Sequence, residues 1–251
     1  MITHDILNEQ PNLKHGFFTR KNGFSTGNYA SLNMRIGSND NPIHIAKNYA
    51  YVKETLQLDS LLTLKQTHSN KVITVTDPWD ISNRPEGDGF VTSLKNIGLG
   101  ILTADCGPLL LADTVNQIVG AAHLGRKGAL TGLLENTVQA MEAIGADRSS
   151  IQAVLGATIS HNNYEVGHDV YQEIATLMPN KLHHLCSALQ PEKYKLDMLG
   201  LICNLCEDAN ISFHALDYCT YDNPDLFFSY RYNTHQNQSN YGCFISAISL
   251  I

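Results

Sequence analysis

Cysteine is scarce in this chain, tryptophan occurs once, and only 16% of the residues are charged. Each shortage excludes something. The six cysteines, Cys106, Cys186, Cys203, Cys206, Cys219 and Cys243, are few for 251 residues and irregularly spaced. A disulfide framework is therefore not expected, and most of them read as small core residues. No local C-x-x-C…H-x-x-H pattern marks a structural zinc site. No apolar run is long enough to span a bilayer, and the most apolar stretch, Gly242 to Ile251, has the length of a strand. Met1-Ile2-Thr3-His4-Asp5 lacks the basic start and apolar run of a secretory signal. The expectation is a cytoplasmic protein with no membrane partner. Basic residues are outnumbered, with 17 Lys and Arg against 24 Asp and Glu, for a net charge of −7 with His neutral. That balance argues against nucleic acid as a partner. A few local cations would still suffice for an anionic small molecule. Internal repeats and low-complexity linkers are also missing, so residues 1–251 read as one domain with its own core, a monomer or a small homo-oligomer.

What is present is a mixed pattern, 43% hydrophobic, with eleven Tyr, eight Phe and eighteen Gly. Residues 1–35 read as hairpins and loops, with Lys21-Asn22-Gly23 a turn signal. Residues 42–57 show helical periodicity through Ile43, Ala46, Tyr49, Ala50 and Leu56. Short strands are expected at 61–65 and 71–76, and a loop at 77–88. Four strands rich in Leu, Ile and Val follow at 88–92, 97–103, 109–113 and 118–123. A long helix is expected at 129–144, a strand at 151–159, helices near 167–178 and 195–209, and strands at 211–216 and 242–250. Helices and strands mix without strict alternation, which favours an α+β layered fold with mixed sheets over a doubly wound one.

Three residues with metal-binding side chains occupy marked places in this pattern. His68 lies in the polar loop Gln66-Thr67-His68-Ser69-Asn70. Cys106 lies in the turn Thr103-Ala104-Asp105-Cys106-Gly107-Pro108, between two apolar strands. His123 ends Ile118-Val119-Gly120-Ala121-Ala122-His123, just before a helix. Strand ends often carry chemistry. A lone His or Cys is more often a packing residue, and the spacing by itself does not join the three. After His123, Gly125, Gly128 and a helix start offer backbone N–H groups to an anion, and Arg126 and Lys127 add charge. The same residues also fit an ordinary solvated loop. Asp105 has two readings, orienting a ligand or capping its turn. Glu165 is either a general acid/base or a solvated carboxylate. Cys203 and Cys206 fall in an apolar helical pattern, and His183-His184 has no partner at ligand spacing. Gly98-Leu99-Gly100 lacks the third glycine of a dinucleotide fingerprint.

Three segments taken together are similar to a known family: Lys65-Gln66-Thr67-His68-Ser69-Asn70-Lys71-Val72, Leu102-Thr103-Ala104-Asp105-Cys106-Gly107-Pro108-Leu109, and Val119-Gly120-Ala121-Ala122-His123. They resemble the successive signatures of the purine nucleoside phosphorylase/laccase-domain family, formerly called polyphenol oxidases. The likeness extends to His15-Gly16-Phe17-Phe18-Thr19-Arg20, Tyr164-Glu165-Val166-Gly167 and Phe228-Ser229-Tyr230-Arg231, so it covers nearly the whole chain in order. The resemblance implies a layered α/β/β/α domain like the catalytic domain of cytotoxic necrotizing factor. It implies a zinc site at His68, Cys106 and His123, with copper less expected. It makes Arg20 a further anion-binding candidate beside Arg126 and Lys127. Two imidazoles and a thiolate would leave a fourth tetrahedral position open, as in catalytic zinc sites.

The implied activities are phosphorolysis of adenosine, inosine, guanosine or methylthioadenosine and deamination of adenosine, with a nucleoside and phosphate as small-molecule partners. Alternatives within the same resemblance are a Cys–His hydrolase editing peptidoglycan precursors and a copper-dependent polyphenol oxidase. Two departures stand out. The family has Trp-Arg where this chain has Arg126-Lys127, and Lys cannot offer the two-pronged hydrogen bonding of Arg. It often has Cys-Cys where this chain has Asn162-Asn163, which removes soft ligands and weakens a multicopper reading.

Overall fold

Leu109, Leu110, Leu111 and Ala112 are all fully buried, yet alternate residues belong to different cores. Successive side chains of a strand point to opposite faces. A run that is apolar at every position therefore needs cover on both sides. In the structure, a computed structural model describing residues 1–251, this run is the middle of β6 (Gly107–Asp113).

The other strands are β1 (Leu13–Phe17), β2 (Ser60–Thr63), β3 (Val72–Thr74), β4 (Gly89–Thr92), β5 (Ile97–Thr103), β7 (Ile118–Leu124), β8 (Gln152–Leu155), β9 (Glu165–Gly167), β10 (Cys186–Gln190), β11 (Lys193–Leu196), β12 (Ser212–Ala215) and β13 (Phe244–Leu250). The helices are α1 (Asp5–Asn8), α2 (Pro42–Thr55), α3 (Arg126–Leu130), α4 (Leu133–Ala143), α5 (His168–Leu177), α6 (Leu182–Leu185), α7 (Met198–Asp208) and α8 (Tyr230–His235). One sheet has the order β1-β13-β5-β2, a second β12-β8-β6-β7-β4-β3, and a small third β10-β11-β9. The first two are mixed: β2 is parallel to β5, and β3 to β4, whereas β6 is antiparallel to both β7 and β8.

The cores define the layers. Ile45, Tyr49 and Val52 of α2 pack with Ile245 and Ala247 on one face of the four-stranded sheet. Its other face, through Leu62, Leu99, Ile101 and Ile248, meets Leu110, Val119, Ala121 and Val154 of the six-stranded sheet. The far side of the larger sheet, through Leu109, Leu111, Ala122 and Leu155, is covered by Leu133, Val138 and Met141 of α4 and by Leu201 and Ile202 of α7. This is a single-domain α+β fold with layers in the order α/β/β/α. Each fully buried leucine contributes roughly 1.5–3 kcal/mol. No helix is long and apolar enough to cross a membrane.

Some expected boundaries move, for local reasons. The helix expected at 129–144 is two helices, because Gly132 adopts φ +92°, outside the helical range. The strand expected at 151–159 stops at Leu155. Gly156 passes under Phe17 and Pro108, where a Cβ would lie 2.5 and 2.9 Å from their ring atoms. The helix expected from 195 starts at Met198, since the Asp197 carboxylate accepts the Gly200 N–H at 2.9 Å and caps it. The residues just before it pair as β11. The three-stranded sheet and α8 were not expected from the sequence.

Candidate active site

Four connections carry the chain between the two larger sheets, and two of them bring side chains to the site. β5 belongs to the four-stranded sheet and β6 to the six-stranded sheet, and Ala104–Cys106 bridges them. β2 and β3 are divided in the same way, and His68 lies on their connection. His123 stands near the end of β7, one strand from Cys106. The three side chains converge where the sheets part. Their ligand atoms all lie within 4.8 Å of one another. Cys106 Sγ is 3.8 Å from His68 Nε2, and the two imidazoles meet edge to face with centroids 4.8 Å apart.

Asp88 organises this centre from beneath. It is fully buried at the start of β4. Its Oδ1 accepts the His68 N–H at 3.0 Å and lies 2.9 Å from His123 Nδ1. Its Oδ2 accepts the Thr67 N–H at 3.1 Å, and both the Ser69 N–H and hydroxyl at 2.7 Å. One carboxylate thus bends the His68 loop, which has φ +58° at His68, and turns His123 so that Nε2 remains for another partner. Burial opposes ionisation of Asp88, but the His123 and Ser69 hydrogen bonds outweigh it and hold the carboxyl well below its usual range.

Asp105 fastens the Cys106 turn, at φ +95°. Its carboxylate accepts the Thr220 hydroxyl at 2.6 Å and the Arg231 N–H at 2.7 Å, near the start of α8. Its carbonyl accepts the Thr158 hydroxyl at 2.7 Å and the Ile159 N–H at 3.0 Å. Of its two readings, the structure supports the anchoring one. Burial pushes its carboxyl up against these hydrogen bonds. Gly125 completes the packing: a Cβ there would lie 2.8 Å from His68 Cδ2 and 3.1 Å from Cys106 Sγ.

The electrostatics are those of a coupled pair. Burial would raise the Cys106 thiol, yet His123 and His68 pull it down to about 6. Burial would lower His123, yet Cys106 and Asp88 push it up to about 9. The metal-free centre therefore favours thiolate beside imidazolium near neutrality.

Two hollows open beside the centre, and both include His68, Ala104, Cys106 and Tyr241 in their walls. The larger, about 570 Å³, has Tyr164, Tyr230, Met198 and Ile159 on its apolar side and Arg126, Lys127 and Arg231 on its charged side. The smaller, about 270 Å³, carries Arg35, Lys65 and Arg84.

The remaining sequence candidates fall in different places. Arg126 lines the larger hollow and is ion-paired with Glu173. Lys127 lines it as well. Arg20 is not brought there: its guanidinium donates to the Ala30 and Pro224 carbonyls at 2.6 and 2.9 Å and lies over Phe228. Glu165 pairs with Lys193 at 2.7 Å. Cys206 is buried in the α7 core, and burial raises its thiol to about 12. His183 and His184 are exposed. Asn163 donates to Asp222 at 2.8 Å, a structural tie. Asp88 was missed as a site residue. The available signal was a charged residue beginning an apolar strand. The wall formed by Tyr164, Tyr230, Arg231 and Tyr241 depends on segments far apart in the chain, and no local pattern joins them.

The chain matches, over residues 14–251, the family model described as multi-copper polyphenol oxidoreductase laccase. Among curated proteins, it is 32% identical over 218 residues to a protein of Corynebacterium glutamicum named purine nucleoside phosphorylase, covering 86% of this chain and 87% of that one. It is 40% identical over 166 residues to one of the same name from Deinococcus radiodurans, covering 64% and 63%. Among solved structures, the Neisseria meningitidis DUF152 protein superposes with a TM-score of 0.87 at 30% identity, covering 96% of this chain and 95% of that one.

Proposed function

The chain belongs to the multi-copper polyphenol oxidoreductase laccase family, and we propose that it is a metal-dependent enzyme that cleaves purine nucleosides by phosphorolysis. The observation that carries this reading is the convergence of two imidazoles and one thiolate within 4.8 Å, at the wall of an aromatic cavity. The names of the curated relatives support the nucleoside part. Residues 1–251 act on this reading as one catalytic domain, in the cytoplasm, where nucleosides and phosphate meet.

The donor set fits a metal. A sulfur and a nitrogen on one tetrahedral zinc lie about 3.5 Å apart; Cys106 Sγ and His68 Nε2 are 3.8 Å apart and the whole set lies within 4.8 Å, so an ion would draw the three ligands slightly together. The low thiol pKa supplies the thiolate a metal requires, and Asp88 holds His123 through its outer nitrogen as metal-bound histidines are commonly held. His68, Cys106 and His123 would hold the ion. Zinc suits this N/S set, and several coppers would find too few ligands. When bound, a divalent ion supplies Lewis acidity toward a water or a substrate oxygen.

The chain's own residues position the reactants. Tyr164 and Tyr241 flank space suited to a planar base. Lys127 and Arg231 line the same hollow. In phosphorolysis a phosphate oxygen bonds to the sugar C1′ as the C1′–N bond breaks, and the departing base keeps the electron pair and takes up a proton. Adenosine, inosine, guanosine and methylthioadenosine share this bond. Deamination of adenosine, in which water replaces the amino group and ammonia leaves, would use the same centre. The test is product analysis of metal-loaded protein with inosine plus phosphate, and with adenosine alone. The expected products are hypoxanthine with ribose 1-phosphate, and inosine. No product above a Cys106→Ala control would refute the reading.

The Asp88–His123–Cys106 line favours one second reading, a cysteine hydrolase in which the thiolate attacks an amide and His123 protonates the leaving amine. Alkylation separates the two. A nucleophilic thiolate reacts with iodoacetamide in the protein as purified, whereas a metal-bound one reacts only after chelator treatment.

A further inference from the structure

We propose that the smaller hollow is an oxyanion subsite that takes inorganic phosphate through Arg35, Arg84 and Thr103; this rests on the phosphorolysis reading above. The hollow holds three cations, Arg35, Lys65 and Arg84, and no carboxylate lines it. Lys65 is tied to Glu86 at 2.7 Å, on the exposed side. Arg84 forms no hydrogen bond and no ion pair within the protein, although its side chain is only partly exposed. Arg35 has no acidic partner: it donates to the Tyr241 carbonyl at 3.2 Å, and its guanidinium stacks 4.1 Å above the Tyr241 ring. That stacking fixes the guanidinium plane and leaves its other donors to a ligand.

A second observation points the same way. Thr103 is 1% exposed and lines this hollow, and its Oγ1 has no hydrogen-bond partner. A buried hydroxyl without a partner is costly, and an oxygen-rich anion in the hollow would accept its proton. The Gln66 amide, by contrast, is spent on the Leu102 backbone in both directions, at 2.8 and 2.9 Å.

The larger hollow is less suited to free phosphate. Arg126 is neutralised there by Glu173, and the Asp105 carboxyl lines the hollow. Its size and tyrosines suit a nucleoside instead. The two hollows share His68, Cys106 and Tyr241, so phosphate in one and nucleoside in the other would meet beside the Cys–His centre.

The test titrates inorganic phosphate into the metal-loaded full chain by calorimetry and measures KM for phosphate and inosine separately. Arg84→Gln removes a charge with no internal hydrogen bond or ion pair to break, and Thr103→Val keeps the shape; thermal melts verify both folds. Phosphate affinity should fall about 10- to 100-fold in Arg84→Gln and a smaller amount in Thr103→Val. KM for phosphate should rise in parallel while KM for inosine barely moves. Lys127→Gln should leave phosphate affinity near that of the parent. No phosphate binding by the parent, unchanged binding in Arg84→Gln, or a loss found instead in Lys127→Gln would overturn the subsite. Arg84-dependent binding without inosine cleavage would uphold the subsite and refute phosphorolysis. Cleavage with a phosphate KM indifferent to Arg84→Gln would do the reverse.

Discussion

Asp88 does more at the centre than any other single side chain that is not itself a proposed ligand. It bends the His68 loop, orients His123 and is fully buried. Asp88→Asn would set amide hydrogens against donors that now face oxygen. It should destabilise the fold by about 2–4 kcal/mol, because buried donors lose a charged acceptor. Metal affinity should fall about 10- to 100-fold, as for other supports of ligating histidines. Denaturant unfolding and metal titration check both. The sign of the pH dependence follows from the lowered Asp88 pKa. Its stabilising effect is present above the unfolded carboxyl value of about 3.9 and is lost as pH falls toward the folded value. Cys106 offers a second pH test. In chelator-treated protein its alkylation rate should rise with a midpoint near 6, against about 8.5 for a free thiol. A midpoint above 8 would mean that the histidines do not stabilise the thiolate.

At the scale of elements, the site depends on how closely three connections approach one another. Gly125 allows the turn after β7 to lie against His68 and Cys106. Gly125→Ala should push the ligands apart. The expected cost is about 1–3 kcal/mol of stability, with a loss of activity larger than that cost explains, read from kcat in folded protein. Full activity in this variant would show that the centre tolerates displacement.

Much of this level was legible in the chain. β6 and β7 announce themselves as apolar runs, and α2 by its periodicity and by Pro42 after the Asn41 cap. The misplaced boundaries lie where one residue decides the geometry: Gly132 at positive φ, Gly156 beneath an aromatic ring, and Asp197 as a cap. The strands β9 to β11 are short and largely exposed, so they lack a buried face to produce an alternating pattern.

At the scale of the whole molecule, two sheets pack face to face, and two of the four connections between them, β2–β3 and β5–β6, each bring a proposed ligand to the same opening. The resemblance joined His68, Cys106 and His123 before any coordinates did; their spacing alone did not. The fold places the three ligand atoms within 4.8 Å of one another. The smaller hollow was not legible. Arg35, Arg84 and Thr103 lie on separate loops and strand ends, and only the folded chain places their side chains around one space. Net charge was also a poor guide: a chain of −7 overall keeps a pocket edged by three cations and no acid. Local charge, set by topology, governs what a site attracts.

X-ray absorption at the zinc edge of the zinc-loaded chain tests the central claim most directly. One ion per chain, with one sulfur at about 2.3 Å and two imidazole nitrogens at about 2.0–2.1 Å, is the predicted shell. A shell without sulfur, or one unchanged in Cys106→Ala, would contradict it.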